Sequence, residues 1–176
     1  QLDQYKRNLT FSGSVDGLFV RASTDKPNLS NALNLIQDIL RNPSFDVTEF
    51  EKLKLETKSG LESNRNEPQA VANQELTKLT ALYPKTHPYY SESIDESLAT
   101  LDKITIEDLK NFYASCYGGS NSISSFVGGI DKDLIKKFLS STFDNRNTKI
   151  AYKRIPTQYF DVKSNDKTIQ INDKTN

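Results

Sequence analysis

Apolar residues at Leu29, Ala32, Leu33, Ile36, Ile39 and Leu40 recur at three- to four-residue intervals. That is the spacing of one buried helical face. The pattern predicts a helix over 28–43, stopped by Pro43. Upstream, "NLTFSGSVDGLFVRAS" (8–23) carries β-rich runs on either side of Asp16-Gly17, the signature of an antiparallel hairpin. "SGS" (12–14) inside the first run predicts a bulge or a point of close packing. Downstream, Phe45 leads into a long charged helix over 47–65. Pro68 opens a third helix, with Val71, Leu76, Leu79 and Leu82 on its apolar side.

"YPKTHPYY" (83–90) is a loop rich in proline and aromatics, followed by a short helix around 95–101. Thr105 is placed to cap a helix over 106–116, with Asp108 at the capping-box position where Glu or Gln is preferred. "SISSFVGGI" (122–130) reads as a strand centred on Phe126 and Val127, and Asp131 as the cap of the helix "KDLIKKFLSSTF". Residues 145–176 scatter β-type residues among polar ones and read as an extended tail or as strands awaiting partners. The order of elements implies an α+β fold, helices against an antiparallel sheet.

Composition adds limits rather than chemistry. The chain has 176 residues, long enough for one domain with a core. Its 23 basic and 23 acidic residues cancel, and no basic cluster of the kind that binds nucleic acid stands out. Lys52, Lys54 and Lys58 are interleaved with Glu49, Glu51, Glu56 and Glu62, which describes a solvated helix face. The single cysteine, Cys116, excludes an internal disulfide and reads as a small core residue between Phe112, Tyr113 and Tyr117. No apolar run reaches the roughly 18 residues of a membrane-spanning helix. The chain contains no methionine and begins in mid-pattern, so it reads as a segment of a longer protein.

Candidate chemistry is sparse. Hydrolytic zinc takes three protein ligands and an open position. The chain has one histidine, His87, in a loop between two prolines. "DKDLIKK" lacks the alternating acidic spacing of a calcium loop. "YGGSN" (117–121) precedes a predicted strand rather than a helix, the wrong order for a phosphate cradle. No G-x-S-x-G occurs. Sequons at Asn8 and Asn28 matter only in a secreted eukaryotic protein. The acidic pairs Asp95-Glu96 and Glu107-Asp108 fall at predicted helix starts, where they complement the helix dipole.

Several segments together resemble the insulinase/pitrilysin family of zinc metallopeptidases, M16. "NLSNALNLIQDILRNPSFDVTEFEKLKLETKSGLE" resembles its helix, "P-x-F" and long charged helix. "EPQAVANQELTKLTALYPKTHPYY" resembles the helix and loop that follow, and "LDKITIEDLKNFYASCYGGSNSISSFVGGID" is the nearest stretch. "YKRIP…INDKTN" resembles the link into the next half-domain. The family's H-x-x-E-H signature needs two histidines and is not in this chain. Its zinc-ligand glutamate on the long charged helix aligns with Gly60, while Glu56 and Glu62 lie out of phase.

The resemblance therefore implies the non-catalytic repeat of a large bacterial two-repeat member, folded as part of the M16 α/β roll. It implies a first α/β subdomain over 1–150, with 151–176 leading into the next. It further implies no catalytic or metal-binding residue in this segment, zinc in the catalytic half of the parent protein, and a peptide or unfolded protein as substrate. A substrate chamber wall supplied to that catalytic half is the expected role. A non-enzymatic scaffold or substrate-recognition subunit is the alternative. A periplasmic or secreted location would follow for a large bacterial member.

Overall fold

A computed structural model describes residues 9–171 of the chain. The chain divides into two units, Gln1–Phe45 with Glu107–Ile155 and Asp46–Ile106 with Pro156–Asn176.

In the first unit, β1 (Leu9–Ser14) and β2 (Gly17–Ala22) pair antiparallel, from Leu9 opposite Ala22 to Ser14 opposite Gly17. Val15 and Asp16 form the turn, and the Asp16 N–H donates to Ser14 Oγ at 3.1 Å. Gly17 thus opens β2 instead of sharing the tip with Asp16, and its φ of 151° suits glycine. The expected bulge at 12–14 is absent. Ser12, Gly13 and Ser14 each have one partner across the ladder, and a side chain at Gly13 would meet open space.

The helix predicted over 28–43 is α1, Leu29–Arg41, entered through a short 3-10 turn at Lys26–Asn28. The Asp25 carboxylate caps that turn by accepting from the Asn28 N–H. Leu33 and Ile36 of α1 bury against Ile135 and Phe138 of α6 (Lys132–Phe143), with Leu9, Leu29, Leu40 and Phe126 around them. This small cluster is the core of the unit. Asp131 starts α6 as its sequence predicts, accepting from the Asp133 and Leu134 N–H groups at 2.9 and 3.2 Å. Thr142, 1% exposed, satisfies its hydroxyl by donating to the Phe138 carbonyl at 2.6 Å. Arg41 closes the far end, its guanidinium donating to the Ser141 and Thr142 carbonyls at 2.7 and 3.0 Å. Those carbonyls belong to the last turn of α6, which has no intrahelical donors left for them.

α5 (Ile106–Cys116) is held to the end of α1 by Tyr113, whose hydroxyl lies 2.9 and 3.0 Å from the Leu40 and Arg41 carbonyls. The Arg146 guanidinium covers the Tyr113 ring at 4.5 Å from its centroid. Cys116 is only half-buried, so the expected core position is partial.

The strand expected over 122–130 is not formed. Ile123 and Val127 are 99% and 95% exposed, and the only sheet among the described residues is the β1–β2 pair. A strand exists only with a ladder partner, and among the described residues none pairs with this segment. Phe126 packs on the core, edge-on to Phe138 with centroids 6.3 Å apart. The α+β class stands in its coarser form, six helices and one two-stranded antiparallel sheet among the described residues. Residues 145–171 carry no regular element, and 172–176 lie outside the described residues.

The turn at 117–120 packs closely against the segment 143–150. The Gly119 N–H donates to the Arg146 carbonyl at 2.8 Å, and the Lys149 and Ile150 N–H groups donate to the Ser115 carbonyl at 3.0 and 3.2 Å. A Cβ on Gly118 would stand 2.5 Å from the Arg146 oxygen and 3.0 Å from the Thr148 nitrogen. These are backbone atoms, so relief requires the strap at 146–150 to move. Gly118→Ala is therefore expected to destabilise the chain by about 1–3 kcal/mol, the usual range for overpacking. Urea midpoints of the two proteins measure it, and an unchanged midpoint would mean that the strap yields freely.

In the second unit, α2 is Val47–Asn64, α3 is Pro68–Thr80 and α4 is Ile94–Lys103. Asp46 caps α2 through the Glu49 N–H at 3.0 Å, and Pro68 occupies the first turn of α3, where a missing N–H costs nothing. α4 is longer than expected because Ser93 and Glu96 form a full capping box. α2 and α4 lie side by side. Lys54 Nζ donates to the Asp102 and Ile104 carbonyls at 3.0 and 2.9 Å, and Lys58 and Arg65 pair with Asp102 and Asp95. Exposed ion pairs of this kind contribute little to stability. Among the described residues of this unit none is buried.

Candidate functional site

Gly60, where the resemblance puts the family's zinc-ligand glutamate, lies in the second turn from the C-terminal end of α2 and is exposed. A Cβ there would meet no atom within 4 Å beyond its chain neighbours and the backbone of its own helix. Glu56 and Glu62 lie exposed on the same helix. Glycine at this point is required neither by packing nor by its backbone angles. Gly60→Ala should accordingly stabilise the chain by roughly 0.5–1 kcal/mol, the helix-interior difference between the two residues. A urea midpoint lower than that of the unsubstituted chain would show that the added methyl is resisted.

His87 packs within its own loop. Its ring stacks on Tyr83 with centroids 4.3 Å apart, and its Nδ1 accepts from the Tyr89 N–H at 3.1 Å. Phe160 meets the Tyr83 ring edge-on at 4.9 Å, and the Gln158 N–H donates to the Tyr83 hydroxyl at 3.3 Å. The loop 83–90 is thus an aromatic cluster that anchors the extended segment after Pro156. Among the described residues no three His, Cys, Asp or Glu side chains converge as a metal site. With one imidazole committed to Tyr83 and Tyr89, and with glycine at 60, the donor set does not fit zinc in hydrolytic geometry.

The acidic pairs sit where their sequence places them, in the first turns of α4 and α5. Glu96 has the strongest electrostatic coupling. The Lys85 ammonium, then the Ser93 N–H and then the Tyr90 hydroxyl hold its carboxyl at about 2. Lys85 is raised in turn, first through its hydrogen bond to Glu96. A carboxyl depressed on folding adds stability above its ordinary pKa and loses it as pH falls through the folded value. The Glu96 contribution is thus present at neutral pH and lost between about pH 5 and pH 2. The stability difference between the unsubstituted chain and Glu96→Gln should therefore shrink over that interval. A difference independent of pH would contradict the assignment. The capping box that holds Glu96 was legible as S-x-x-E, a signal weaker here than the pair of adjacent acids.

One groove of about 430 Å³ lies in the second unit, between α3 and the extended residues 165–171. Val71, Leu76, Leu79, Ile169 and Ile171 supply its apolar walls. Glu75 marks its polar edge and pairs with Lys167 and Lys78, which lower its carboxyl below the usual range. Asn165, Lys167, Ile169 and Ile171 reach the groove as alternate residues, the side-chain period of an extended chain. No nucleophile paired with a base lines the groove. No helix among the described residues is long and apolar enough to cross a membrane. The sequon residue Asn28 is engaged, its side-chain amide donating to Asp25 at 2.7 Å, whereas Asn8 lies outside the described residues.

Comparison with known families supplies what the geometry does not. A family model described as the Peptidase M16 inactive domain matches residues 103–176, a stretch that contains α5, the turn at 117–120, α6 and the extended segment of the groove. No curated protein matches the chain. Residues 103–176 are thus similar to the inactive domain of the M16 peptidases.

Proposed function

We propose that the chain is a non-catalytic domain of an M16 zinc metalloendopeptidase. It forms part of the wall of the substrate chamber and supports proteolysis by a catalytic half of the same protein. The observation that carries this reading is the inactive-domain match over 103–176. The glycine at the ligand position of α2 and the single, structurally committed histidine agree with it. Residues 1–150 act as the first α/β subdomain, and 151–176 lead into the next. Zinc belongs to the catalytic half, held by its H-x-x-E-H helix, and supplies the activated water for peptide hydrolysis. The residues of this chain contribute surface, not chemistry, toward a peptide or unfolded polypeptide. The test is hydrolysis of an unstructured peptide by the separately produced H-x-x-E-H half, with and without this chain. Turnover is expected to rise when both are present. A parent protein without an H-x-x-E-H half would overturn the reading and leave a scaffold or substrate-recognition subunit in its place.

A further inference from the structure

We draw no further inference here: the strongest candidate, the apolar groove between α3 and the extended residues 165–171, has exposed leucine and isoleucine walls, but nothing in the structure shows what covers it.

Discussion

Phe138→Ala is expected to cost about 3–5 kcal/mol, the range for truncating a buried aromatic ring. Phe138 lies on α6 at the centre of the only buried apolar cluster among the described residues, against Leu33 and Ile36 of α1 and beside Ile135. Phe126 depends on it as well, since the edge-on contact with the Phe138 ring is what holds the otherwise open segment 122–130. Removing the ring leaves a cavity that four neighbouring side chains cannot close without drawing α1 and α6 together. Arg41 resists that movement because its guanidinium spans from the end of α1 to the last carbonyls of α6. Denaturation in urea, followed by circular dichroism, measures the loss. Phe138→Leu keeps most of the volume and should lose distinctly less. A loss below about 1 kcal/mol for the alanine variant would mean that this cluster is not the core of its unit.

The helices were legible because their signals are local. Pro43 stops α1, Asp46 and Asp131 cap α2 and α6 through their own carboxylates, and Pro68 sits in the first turn of α3. Each of these acts within one turn of chain, so neighbouring residues suffice to read it. The hairpin was legible for the same reason, although its tip shifted by one residue to Val15-Asp16. Segment 122–130 was not, because β-propensity describes a fit to a pleated surface and a strand also needs a partner at a distance. The pairing of α1 with α6 joins residues about a hundred positions apart, and no periodicity states which apolar face meets which.

The candidate site divides along the same line. That Gly60 takes the ligand position rests on the resemblance, whereas its exposure and open surroundings are set by the fold. The aromatic cluster around His87 was legible only as a loop rich in Tyr and Pro. Its closure by Gln158 and Phe160 comes from residues some seventy positions later. The groove was hidden for a further reason. Residues 165–171 have the alternation of a strand but rest on a helix rather than in a sheet.

The largest expected effect concerns proteolysis itself. Metal-assisted hydrolysis needs three ligands on one zinc and a base for its water, and on the proposed reading these lie in the catalytic half. The chain alone is expected to hold no zinc after dialysis and to leave an unstructured peptide intact. On the proposed reading, the H-x-x-E-H half alone is expected to hold one zinc and turn over slowly, because the part of the chamber wall that this chain supplies is missing. Together they should give hydrolysis that a chelator stops. The most direct measurement is therefore zinc content and chelator-sensitive peptide hydrolysis for the chain, for the catalytic half and for the mixture. The account predicts zinc only in the catalytic half and a rate that rises when this chain is added. One tightly held zinc per copy of this chain, with peptide hydrolysis by the chain alone that a chelator abolishes, would contradict it.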